Sequence, residues 1–149
     1  MFGSLSVLLL AGLLAPTPQQ DDALFHNYTQ AYHTARLVKQ PLLVILNPPA
    51  GSDKKPISID DIRKTRHRRE LLEKYVVVMI DTGTKHGRLC RELFKPEQLP
   101  EIVVIDKQQK FQIFQTSKKM YGQLWTKVLE TYQTGELPTP VKPEAACPT

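Results

Sequence analysis

Cysteine is scarce in this chain: Cys90 and Cys147 are the only two in 149 residues. That is too few for a disulfide-stapled scaffold, so apolar burial has to hold the fold together. Glycine-rich phosphate loops and nucleophile elbows are missing, which removes the common nucleotide-binding and serine-hydrolase signatures. No apolar run reaches the roughly 20 residues that a membrane-spanning helix needs. Metal-ligand spacing is also lacking. On one helix His26 and His33 would stand two turns apart, about 10 Å at 1.5 Å per residue, and His67 and His86 have no Cys or carboxylate in ligand spacing. No metal and no cofactor is therefore expected.

What is present is ordinary for one soluble globular domain: 41% hydrophobic and 23% charged residues, with a mild formal net charge of +5. The one long apolar block lies within residues 5–15, and its length suits the core of a secretory signal peptide. It is not preceded by Lys or Arg, and Ala15 is the small residue near the expected cleavage point. Residues 1–20 are read as a signal peptide or an uncleaved N-terminal anchor with a Pro/Gln-rich spacer, and export to the periplasm or the extracellular space is expected. Residues 21–136 form the domain, and 137–149 a proline-rich tail expected to be extended or disordered.

Within the domain, Asp21 and Asp22 suit a helix start. Leu24, Tyr28, Ala31, Ala35 and Val38 then mark one apolar helix face, which Pro41 ends. Residues 42–46 are wholly apolar and read as a buried strand, broken by the Pro/Gly-rich stretch 47–53. Ser58 followed by Asp61 resembles a capping box, predicting a charged helix to about Lys74. A Val-rich strand over 75–80 and a helix over 85–94 follow, with Leu89, Leu93 and Phe94 facing inward. A strand over 102–105, a turn, and a strand over 110–115 with Phe111 and Ile113 on one face come next. The last helix carries Tyr121, Leu124, Trp125, Val128 and Tyr132, and Gly135 is its expected C-terminal cap. Apolar strands joined through helices imply parallel crossovers, and the short last link implies a hairpin. The expected fold class is α/β, a central mixed four-stranded sheet flanked by helices.

This order, with a proline just before the third strand, resembles the thioredoxin-like superfamily, in particular its small exported members. The matching residues are Gln40–Pro41–Leu42–Leu43–Val44, then 72–81 ending in Ile80–Asp81, then Leu99–Pro100–Glu101–Ile102–Val103–Val104–Ile105–Asp106. The resemblance covers roughly residues 22 to 135. It implies a cis Leu99–Pro100 peptide bond bordering a substrate groove. It also implies a reactive Cys-x-x-Cys near Ala50, Gly51, Ser52 and Asp53, where a helix N-terminus lowers the first thiol's pKa. No cysteine occurs between Asn47 and Tyr75, and a serine hydroxyl is not appreciably ionised near neutral pH. The dithiol mechanism is absent.

The expected function is a non-catalytic domain binding a protein or peptide, with Pro49, Ala50, Gly51, Ser52, Asp53, Leu99 and Pro100 as the groove. One alternative is a single-thiol redox protein using Cys90, at the edge of an apolar stripe, or Cys147, in the tail; the two could also pair with each other. Another is docking on an anionic envelope surface through Arg63, Lys64, Arg66, Arg68 and Arg69. Acidic residues share that basic segment and no aromatics interleave it, so a solvated helix face is the plainer reading and nucleic acid is not an expected partner.

Overall fold

The computed structural model of the chain describes residues 24–139. The expected signal peptide or anchor, the Asp21–Asp22 cap, Cys147 and the tail beyond 139 lie outside the described residues. Strands β1 (Leu24–Phe25), β2 (Leu42–Asn47), β3 (Val76–Asp81), β4 (Glu101–Ile105) and β5 (Gln112–Thr116) form one sheet in the order β1-β3-β2-β4-β5. Helices α1 (Tyr28–Val38) and α4 (Lys85–Phe94) cover one face; α2 (Ile59–Ile62), α3 (Arg66–Leu72) and α5 (Gly122–Tyr132) cover the other. None of the described helices is long and apolar enough to cross a membrane.

The sheet has five strands rather than four. The extra one is β1, where Leu24 and Phe25 pair in parallel with Val77 and Val78 of β3. Leu24 thus shares the helical spacing of α1 without belonging to it. Asn27 caps α1 instead, its side chain accepting from Gln30 N–H at 3.1 Å, and strand pairing satisfies the backbone just upstream. His26 consequently precedes the helix, with Nδ1 3.2 Å from the Met79 carbonyl.

β2 is the central strand, parallel to β3 and antiparallel to β4. Its side chains alternate between two cores. Leu43 and Ile45 pack with α3 and α5 residues, and Leu42, Val44 and Leu46 pack with α1 and α4 residues. Being buried on both faces explains the unbroken apolar run.

Three helical expectations change. The single charged helix over 58–74 is two short helices, because Thr65 caps α3, accepting at Oγ1 from Arg68 N–H. In α4, Leu89 and Leu93 face outward, 59% and 61% exposed, whereas Gly87, Cys90 and Phe94 face the sheet. Gly87 sets that rotation: a Cβ there would lie 1.8 Å from the Asp81 carbonyl oxygen, so only glycine lets the first turn approach the end of β3 this closely. In α5 the inward stripe is Trp125, Val128 and Leu129, while Tyr121 caps the helix from an exposed position and Leu124 is exposed as well.

Phe111, expected beside Ile113, is exposed in the turn before β5, and a register irregularity between Val104 and Ile105 lets Ile113 turn inward. The C-terminal cap of α5 is Gln133 rather than Gly135, which lies two residues further on in the left-handed conformation. The Gly135 N–H donates to Tyr132 O and its carbonyl accepts from Lys107 N–H, tying the end of α5 to the β4–β5 turn.

Candidate functional site

The Leu99–Pro100 bond is cis. It lies where the chain enters β4, at the end of the sheet where β2 and β3 also finish. Asn47, the last residue of β2, holds the following loop: its side chain donates to Ile57 O at 2.9 Å and accepts from Ile57 N–H at 2.8 Å. This two-way bond pulls residues 54–57 over the edge of the α3/α5 core.

Between that loop, the Leu99–Pro100 corner and the segment leading into α5 lies a cavity of about 600 Å³. Ile57, Leu99, Pro100, Met120 and Trp125 give it apolar walls. Lys54, Lys55, Lys64, Arg68, Lys118 and Lys119 also line it, six cationic side chains against the single carboxylate of Asp61.

Arg68 is unusual within this set. The residue is only 5% exposed. Its Nε donates to Thr65 Oγ1 and its Nη1 to the Asp61 carbonyl oxygen, each at 3.2 Å. No ion pair joins it to a carboxylate among the described residues; the Asp61 carboxylate pairs with Lys64 at 3.7 Å instead. Gly122 adjoins the guanidinium, and a Cβ at that position would sit 3.5 Å from Nη2.

The expected groove residues divide. Leu99 and Pro100 border the cavity. Pro49, Ala50, Gly51, Ser52 and Asp53 form an exposed turn that does not line it, and their place in the wall is taken by 54–57. Sequence reasoning missed Lys118, Lys119, Met120 and Tyr121. The signal for them was paired lysines beside an aromatic, between the last strand and the last helix; Lys119 Nζ lies 5.6 Å from the Tyr121 ring centroid.

The five basic residues expected on one helix face are not presented together. Arg68 is buried, Lys64 joins it in the cavity wall, Arg66 pairs with Glu70 at 2.8 Å, and Arg69 donates to the Arg63 carbonyl.

Cys90 lies on the opposite face of the sheet, buried among Ala31, Val78, Ile80 and Phe94. Burial pushes its thiol pKa up, away from a reactive thiolate. His86 Nε2 is 3.5 Å from Sγ but accepts the Tyr28 backbone N–H at 3.0 Å. That nitrogen is thus shared with the Tyr28 N–H rather than reserved for the thiol. No group of His, Cys, Asp and Glu among the described residues is arranged to hold a metal ion.

Glu101 follows Pro100 and is completely buried. By alternation along β4 it faces the α1/α4 side. Its Oε1 accepts from Gln115 Nε2, whereas Oε2 has no partner among the described residues. Burial raises its pKa above the usual carboxylate value, the Gln115 hydrogen bond partly opposes this, and the charge of Glu97 adds to it.

A thioredoxin from Thermus thermophilus has the same fold, superposing with a TM-score of 0.56 over 72% of this chain and 84% of that one, at 14% sequence identity. The fold is thioredoxin-like. No protein-family model matches the sequence, and no curated protein matches it. At this identity the likeness establishes the thioredoxin-like architecture alone; the chemistry has to be argued from this chain's own residues.

Proposed function

We propose that this protein is an exported, non-catalytic thioredoxin-like domain that binds a protein or peptide segment in the groove beside Pro100. The observation that carries the reading is the cavity of about 600 Å³ bordered by Leu99 and Pro100, which combines apolar walls with polar groups at a loop-built end of the sheet. Two further facts support it. The stretch from Asn47 to Tyr75 contains no cysteine, and Cys90 lies buried on the other face with its thiol pKa raised. Export rests on the apolar block at 5–15 and the spacer that follows it.

Trp125 is the only tryptophan and borders the cavity, so its emission is a direct reporter of occupancy. Titration with extended peptides is expected to give a saturable change, and Leu99→Arg to weaken binding about tenfold or more, a loss of about 1.4 kcal/mol. In a disulfide-reduction assay with an added dithiol, the protein is expected to leave the rate at background. A rate above background that disappears in Cys90→Ser would replace this reading with single-thiol chemistry.

A further inference from the structure

We infer that the occupant of the groove is an acidic peptide segment, one of whose carboxylates pairs with Arg68. This rests on the groove reading above and adds the chemistry of what the groove selects. Its basis is a charge left uncompensated. A guanidinium stays protonated at every accessible pH, so Arg68 cannot relieve its burial by losing a proton. Burying a charge without an ionic partner is costly, yet this side chain is 5% exposed and meets only a hydroxyl and a backbone carbonyl.

The surroundings deepen the deficit. Lys54, Lys55, Lys64, Lys118 and Lys119 line the same cavity, and its one carboxylate, Asp61, is already paired with Lys64. A carboxylate entering from outside would meet a planar donor set suited to two-point binding, in a low-dielectric recess where such a pair is strongest. The lysines around it would attract acidic residues on either side.

The apolar walls decide between kinds of anion. Ile57, Leu99, Met120 and Trp125 leave a strip that a free inorganic anion would not use. A segment that alternates acidic and apolar side chains satisfies both parts at once. Gly122 adjoins Nη2, where a Cβ would make only an ordinary van der Waals contact at 3.5 Å.

The test is a Trp125 fluorescence titration of the whole protein with three peptides of one length. The first alternates Glu with Leu, the second replaces every Glu by Gln, and the third replaces it by Lys. The Glu peptide is expected to bind at least about tenfold more tightly than the Gln peptide, with the difference shrinking at high salt. Arg68→Met is expected to bring the Glu peptide down to the level of the Gln peptide while leaving the melting temperature unchanged or higher, because the variant removes a buried unpaired charge. Should that variant fail to fold, Lys118→Gln with Lys119→Gln reads the same preference from the rim.

Equal binding of Glu and Gln peptides, unaffected by either variant, overturns the acidic preference and leaves the groove reading standing. Binding of none of the peptides overturns both. Arg68-dependent binding to vesicles containing an anionic lipid, with no peptide binding, overturns the proposal in favour of a membrane surface.

Discussion

The two faces of the sheet each bury one ionisable side chain near Pro100, and they deal with it in opposite ways. On the α1/α4 face Glu101 is buried, and burial pushes its pKa above the ordinary carboxylate value. On the α2/α3/α5 face Arg68 has no neutral form to retreat to, and it lines an open cavity rather than a sealed core. A buried acid can be compensated by a proton taken from water. A guanidinium has no such route, which is why the proposed acidic ligand is assigned to the Arg68 side.

The difference between the faces begins in the helices that cover them. Gly87 brings the first turn of α4 against the backbone of Asp81 and Thr82, closing that face. On the other side the covering segment is interrupted between α2 and α3, and Arg68 follows from the new cap at Thr65. One face is closed by a glycine and the other is left open by a helix break.

The largest expected effect contrasts two glycines. Gly87→Ala places a methyl group in the backbone of β3's end and is expected to cost about 3 kcal/mol or more. Gly122→Ala, at the open face, meets only ordinary contacts with Arg68 and is expected to change stability by less than about 0.5 kcal/mol. Chemical denaturation of both variants checks this; equal losses would erase the contrast between a closed and an open face.

A smaller effect comes from Glu101. Its folded pKa lies above the unfolded value, so the folded state holds the proton more tightly than the unfolded chain. The associated stability is fully present below the ordinary carboxylate range and is lost as the pH rises through the folded pKa. Thermal melts from acid to neutral pH should therefore contain a falling component that Glu101→Gln removes. An unchanged pH profile in the variant would show that Glu101 is not the buried acid described above.

The smallest effect concerns Cys90. With Cys147 replaced by Ser, the remaining thiol is expected to alkylate at least about tenfold more slowly in the folded protein than in the unfolded chain. Cys90→Ala should cost only about 1 kcal/mol. Alkylation at the unfolded rate would mean that the α1/α4 face opens readily, and would revive single-thiol chemistry.

Much of this architecture was legible in local signals. The apolar runs of β2, β3 and β4 are strands because nothing but double burial accommodates them, and Pro41 and Pro100 mark their entrances. The rotation of α4 was not legible: Leu89 and Leu93 are the more hydrophobic choice for an inner face, and only contact between Gly87 and the end of β3 overrules them. β1 was hidden for a similar reason, since Leu24 continues the spacing of α1 and the pairing with Val77 is non-local. For the site, Leu99 and Pro100 could be read from the chain. The wall opposite them could not, because Asn47 fixes residues 54–57 there through a bond across the loop.

The sequence by itself determined the doubly buried strands, the proline at the entrance of β4 and the lack of a Cys-x-x-Cys pair, because each depends on residue type at short range. Only the tertiary structure decided that Arg68 leaves the solvated face of its segment and that Lys54 and Lys55 meet Lys118 and Lys119 around it. Those charges come from segments far apart in the chain, and the cost of burying one of them exists only once the sheet has brought them together.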